Sequence, residues 1–347
     1  MDVFWDDVQL QHTPGFFLQR GLVRQNFEVP ARALSLLEGI AALGLTPRPP
    51  PALPPDALRT VHADAYLAFL QTAHAEWSRL PGAGPEVVAN VHPSPEMLSH
   101  GAQPGIAVVG QAGWFSADAA CPIGPHTWDA ACAAAACSLA AAEAAAAGRS
   151  AYALVRPPGH HAYPARAGGH CYLNNAALAA ERLRAAGAAR VAILDIDSHH
   201  GNGTQGTFWT RQDVLFCSLH GDPGGYYPWY VGHAAERGAG EGEGFNLNLP
   251  LPRGSSDAPW LAALDNALSA ITHFAPDALV VSLGFDASEH EPLKYLSVTA
   301  DGFARAGERI GALRLPTALI QEGGYDQERL GQLLARFLAA FGSASAA

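Results

Sequence analysis

Two carboxylates and an imidazole fall at alternate positions in one short stretch, Ile193 to Gln205, which reads ILDIDSHHGNGTQ. The apolar run Val191 to Leu194 leads into Asp195, Asp197 and His199, and on an extended chain side chains two apart share a face. Gathered on one side where Gly201 and Gly203 end the strand, these groups repel one another or lose hydration unless a cation sits among them. The spacing therefore points to a metal site. A solvated strand end followed by an ordinary loop would carry the same residue types, because Asp and Gly cluster after the strands of α/β proteins.

Other segments weigh between those two readings. A catalytic zinc takes three protein ligands from nitrogen and oxygen donors and keeps a place for water. Asp197, His199 and Asp286, the last in GFDASEHEP, supply such a set and leave the site formally neutral. A helix N-cap after a strand is the plainer alternative for Asp286. The tandem His160–His161 follows Pro-Pro-Gly, so both rings can turn into one pocket, one taking a proton from water and the other stabilising charge. Each then needs an acceptor to fix its tautomer, for which Asp195 and Asn202 are the candidates. A surface histidine pair is the plainer alternative. Tyr325, after two glycines in EGGYD, offers a phenol to an amide oxygen as it becomes tetrahedral, or simply packs at a strand end.

A parallel sheet would bring these positions together, since reactive side chains gather beyond the carboxyl ends of its strands. Hydrophobic patterning predicts strands at Val3–Trp5, Tyr152–Val155, Val191–Asp195, Val214–Leu219, Leu279–Leu283 and Thr317–Gln321. Helices are predicted at about 30–43, 56–73, 127–147, 174–186, 260–274, 301–313 and 330–341, with Thr127 and Asn174 or Asn175 as N-caps. His62 falls on the apolar side of the second and reads as a satisfied core or cap histidine. Six prolines between Pro47 and Pro55 exclude helix there. The Gly- and Pro-rich stretch Pro81 to Pro125 reads as long, partly helical loops that cover a site. Strand and helix alternate in βαβ units, and no linker interrupts them, so residues 1–347 read as a single domain.

The whole chain narrows the function further. With 347 residues, 49% of them hydrophobic and 15% charged, it can bury a large core. A formal net charge of −11 argues against nonspecific nucleic-acid binding, which needs clustered lysines and arginines, and an acidic surface favours cationic small molecules or basic peptides. No signal-peptide pattern opens the chain, and the Ala-rich stretch around Ala130–Ala147 is broken by Glu143, so a cytoplasmic protein with no membrane segment is expected. Five cysteines without a CxxC pair read as reduced, mostly buried thiols.

In the order RPPGHHA, GGHCYLNNAA, ILDIDSHHGNGTQ, SLHGDP, GFDASEHEP and EGGY, the chain resembles the zinc-dependent histone deacetylase and acetylpolyamine amidohydrolase superfamily, in its class II and bacterial branch. The match is close from Tyr152 to Tyr325 and weaker over the N-terminal helices. The resemblance implies the arginase-deacetylase α/β fold with an eight-stranded parallel sheet flanked by helices. It assigns zinc to Asp197, His199 and Asp286, acid–base work to His161, electrostatic support to His160 and oxyanion donation to Tyr325. It also implies a structural potassium or sodium ion held by Asp195, Asp197, His199, Ser218 and Leu219. The implied reaction is removal of acetyl or other acyl groups from N-acylated amines by metal-activated water, on a small acylated amine or an acyl-lysine peptide. A homodimer built through the loops before Thr127 is consistent with related amidohydrolases.

The family pattern is departed from in the channel. Where an aromatic residue usually follows Gly169 in the GGxC motif, this chain has His170, a wall residue facing the position matched by Tyr227. A histidine wall would make the channel more polar, and pH-dependent binding is the expectation that follows from it. Leu293 stands at a rim position where a polyamine-specific branch carries Glu, and Asp118 is the nearest acid in the segment from which other rim carboxylates would come. A noncatalytic zinc-containing acyl-amine binding module is the alternative, although degenerate members should lose His160, His161 or Tyr325, and all three are present. A two-manganese ureohydrolase is disfavoured because His200, Gly201 and Asn202 stand where a further carboxylate is wanted.

Overall fold

The computed structural model describes residues 1–346. Among the described residues nine strands form: β1 (Asp2–Phe4), β2 (Phe16–Gln19), β3 (Leu22–Gln25), β4 (Ala151–Ala153), β5 (Val191–Asp195), β6 (Val214–Gly221), β7 (Asn246–Leu251), β8 (Ala278–Leu283) and β9 (Thr317–Gln321). Seven make one parallel sheet in the order β1-β4-β9-β8-β5-β6-β7, while β2 and β3 pair as a separate antiparallel hairpin. Strand order reverses outward from the centre, so β5, β8 and β9, which carry the reactive motifs, lie side by side. Both faces are covered. Val191, Ile193 and Val280 pack toward the helices Asp64–Trp77, Thr127–Ala146 and Asn175–Ala185. Their neighbours Ala192, Leu194 and Val281 pack toward Pro30–Ala42, Asp257–Phe274, Ala300–Gly311 and Leu330–Ala346. This period of two, apolar on both faces, is what a strand buried between helical layers requires.

The expected eighth strand does not form among the described residues. Arg48 makes a single bridge beside β1, donating its N–H to Val3 O at 3.0 Å and accepting from Trp5 N at 3.1 Å. Pro47, Pro49, Pro50 and Pro51 flank it, and prolines have no N–H with which to extend the ladder. Sequence patterning also misses the hairpin β2–β3 and the edge strand β7. The helix expected from residue 56 begins at Asp64, preceded by a separate 3₁₀ turn at Ala57–Thr60, and His62 lies between them. Asn174 caps its helix by accepting from Ala177 N at 2.9 Å, whereas Thr127 is the first helical residue after an N-cap at His126. The helix Thr127–Ala146 is, contrary to expectation, long and apolar enough to cross a membrane, but 72% of its most apolar window is buried inside the protein. Its alanines let it lie close against the sheet and the neighbouring helix.

Candidate active site

The carboxyl ends of β5, β8 and β9 open into a cavity of about 1300 Å³. Asp197 and His199 follow β5, Asp286 follows β8, and the three side chains offer ligand atoms within 4.8 Å of one another. All three are buried. His199 Nδ1 lies 2.8 Å from Asp286 Oδ2 and 3.2 Å from Asp197 Oδ1. Backbone N–H groups aim the remaining carboxylate oxygens: Gly323 donates to Asp197 Oδ2 at 2.8 Å and Ser198 to Asp286 Oδ1 at 2.7 Å. Burial opposes charge on His199, yet Asp286 and Asp197 raise it to about 9, so the pair of carboxylates holds a positive charge between them. A hard or borderline dication accepting nitrogen and oxygen donors fits that arrangement. His160, Cys171 and Glu322 also cluster, but burial raises the Cys171 thiol well above its ordinary value and the other two are otherwise engaged, so that cluster does not suit a metal.

The tandem histidines have different acceptors. His160 Nδ1 lies 2.9 Å from Asp195 Oδ2 and His161 Nδ1 lies 2.6 Å from Asn202 Oδ1, with ring centroids 4.0 Å apart. Burial works against a proton on His160, but Asp195 and Asp197 outweigh it and raise the imidazole well above its usual value. His161 moves the other way: burial, then the neighbouring His160 and His199, lower it well below the ordinary range. A charged ring beside a neutral one, each with a fixed Nδ1 partner, is an arrangement in which one histidine stabilises charge and the other takes a proton at Nε2.

Tyr325 lies in the cavity wall, with its N–H donating to Glu291 Oε1 at 2.5 Å and the Arg32 guanidinium over its ring at 4.6 Å. Gly169, His170, Tyr227 and Leu293 line the same cavity. Gly169 has φ +53°, and a Cβ there would come 2.4 Å from His161 Cδ2, so this wall is bare backbone by necessity. The His170 ring meets Phe17 edge-on at 5.6 Å and lies 6.0 Å from Tyr325. Tyr227 stands edge-on to His161 at 4.9 Å and donates its hydroxyl to Asp118 at 2.5 Å. Ser218 and Asp195 are register neighbours across β6 and β5, and Leu219 follows, all fully buried.

Sequence reasoning missed two contributors. Glu322, fully buried at the start of EGGYD, accepts from Gly159 N at 2.7 Å and His160 N at 3.2 Å, tying the end of β9 to the Pro-Gly turn. A carboxylate directly after an apolar strand was the available signal. Tyr226 stacks on His199 at 4.5 Å, which no local pattern reveals.

The histone deacetylase domain model matches residues 26–341. This chain belongs to that family. Family members are zinc-dependent deacetylases, and the chain is a deacetylase-type amidohydrolase. It is 47% identical over 342 residues to the acetylpolyamine amidohydrolase of Burkholderia pseudomallei, covering 98% of each chain. To acetylpolyamine amidohydrolase 1 of Pseudomonas aeruginosa it is 42% identical, covering 95% of each. The crystal structure of the Burkholderia pseudomallei acetylpolyamine aminohydrolase superposes with a TM-score of 0.94 at 46% identity, over 99% of both chains. That likeness extends over the full seven-stranded architecture, so the shortened sheet is a matter of strand count within the deacetylase fold.

Proposed function

We propose that residues 1–347 form one cytoplasmic catalytic domain that hydrolyses N-acylated amines, with Asp197, His199 and Asp286 holding zinc. When bound, zinc supplies a Lewis acid that makes water a nucleophile near neutral pH and polarises the amide carbonyl. His161, neutral and fixed through Asn202, accepts the proton at Nε2 and returns it to the departing amine. His160, kept cationic by Asp195, stabilises the negative charge that develops on the carbonyl. Tyr325 donates its hydroxyl to that oxygen, and Gly169, His170, Tyr227 and Leu293 form the channel the acyl amine occupies. Asp195, Asp197, His199, Ser218 and Leu219 would hold a potassium or sodium ion beside the end of β5.

The observation that carries this reading is the convergence, on one cavity floor, of three donors able to hold a dication with two histidines of opposite charge preference. The noncatalytic alternative is not favoured, because the proton-moving histidines and Tyr325 all face one cavity. Protein dialysed against a chelator until metal is gone should lose hydrolysis of acetylated amines and recover it with added zinc. Full activity in verified metal-free protein would sink the proposal. For assembly, a homodimer through the 81–125 loops is the arrangement to test by sedimentation, since Val91, Met97, Leu98 and Ile106 leave apolar side chains exposed there, Ile106 to 96%.

A further inference from the structure

The mouth of the catalytic cavity has the opposite sign from the chain as a whole. Arg20, Arg24, Arg166, Arg253 and Lys294 all line it, and Lys294 is the chain's sole lysine. They come from four separate segments: the hairpin β2–β3, the loop after His160–His161, the turn after β7 and the loop after β8. Most other arginines are held in ion pairs, whereas none of these five is paired among the described residues. Arg253 lies over the Tyr295 ring at 4.4 Å and Lys294 donates to the Glu289 carbonyl at 2.8 Å, which positions both charges without neutralising them. Above the metal-site carboxylates on the floor, Asp118 is the one acid in the lining among the described residues. Its carboxylate is already taken up by Tyr227 Oη at 2.5 Å, Ala120 N at 2.8 Å and Gly169 N at 3.1 Å.

A net charge of −11 would lead one to expect a cationic ligand, but the potential a ligand meets is set by the charges around the opening. Unpaired cations there repel a polyamine, whose far end is an ammonium, and attract an anion. We propose that the preferred substrate is an N-acylated amine whose far end is a carboxylate, held by the mouth cations while its acyl group reaches the floor. The proposal rests on the amidohydrolase reading and adds the chemical class of the leaving amine, an amino acid. Water adds across the amide bond, the carbonyl carbon leaves as a carboxylate, and the nitrogen takes the proton.

Three compounds with the same acetyl group and the same five-methylene or pentyl chain isolate the far end: 6-acetamidohexanoate, N-acetylcadaverine and N-acetylpentylamine. With zinc-loaded full-length protein at low salt, kcat/KM for the carboxylate should exceed that for the ammonium by ~10-fold or more, with the neutral compound between, and the gap should shrink in high salt. Arg24→Glu combined with Lys294→Glu should move the carboxylate-to-ammonium ratio toward the ammonium. Equal rates, a preference for the ammonium, or a preference unmoved by salt and by charge reversal would overturn the proposal. If none of the three is hydrolysed, the amidohydrolase reading fails instead. Equilibrium binding of the same compounds then still decides the mouth: tightest binding of the carboxylate supports the inference, and indifference or tightest binding of the ammonium refutes it.

Discussion

Burial, followed by the charges of Arg32 and His199, pushes the His170 imidazole down to about 3, which makes this residue a matter of shape and hydrogen bonding. At pH 6 to 8 it is neutral, so the pH-dependent binding expected of a histidine wall does not follow from its own titration. What distinguishes it from a phenyl ring is a smaller, polar edge held beside Phe17 and Tyr325. His170→Phe should therefore alter the relative kcat/KM for acetyl and longer acyl groups by about 10- to 200-fold, the range one methylene spans in an apolar pocket. The size of that change should be the same at pH 6 and pH 8. A ratio that drifts between those values would mean the imidazole carries a proton in the folded channel. At this scale the sequence was legible wherever a side chain announces its chemistry: Asp197, His199, Asp286, His160, His161 and Tyr325 share one cavity. It was not legible where a side chain's value depends on distant neighbours, as with Glu322 beneath His160 or Tyr226 stacked on His199.

Strand ends and tight turns carry the burden of precision, and the turn after β9 is the clearest case. A Cβ on Gly323 would sit 2.5 Å from Asp286 Oδ2 and 2.6 Å from Asp197 Oδ2, and the same residue's N–H aims Asp197. Gly323→Ala must push two prospective metal-holding carboxylates apart. Zinc affinity should fall ~10- to 100-fold, the range typical of losing an orienting partner around a metal, while far-ultraviolet circular dichroism stays native. Unchanged affinity in a competition titration with a chromogenic chelator would show that the turn has room to relax. Elements with strong internal patterning were readable from the chain, β5, β8 and β9 because both faces are buried and the run is continuously apolar. The hairpin β2–β3 was not, since β3 is exposed along its whole length and shows no alternation. β7 was missed because Pro250 interrupts an edge strand of mixed burial. Those two omissions bear on the proposed substrate preference: the hairpin brings Arg20 and Arg24 to the cavity, and the turn after β7 brings Arg253.

Across the molecule, several histidines outside the zinc-holding set are buried where desolvation outweighs any nearby carboxylate. His62 is 2% exposed and accepts a hydrogen bond at Nε2 from Asn174 N at 2.9 Å, fastening the N-cap of the helix Asn175–Ala185. Burial lowers His62 to about 4, and burial likewise lowers His220 to about 4. Since the unfolded chain takes up these protons near pH 6.5 and the native fold refuses them until about pH 4, the unfolded state binds more protons in that window. Stability is therefore complete above pH 6.5 and declines as the pH falls toward 4, by up to about 1.4 kcal/mol per pH unit for each such histidine. His62→Gln supplies an acceptor that does not titrate. Urea unfolding of zinc-loaded wild type and variant at pH 7, 6 and 5 should give a shallower decline for the variant, by up to that same slope, with any loss of zinc at low pH common to both and removed in the difference. Parallel declines would mean that the folded protein already accommodates a charged His62, and the acid sensitivity would then have to come from the carboxylates and histidines of the site itself.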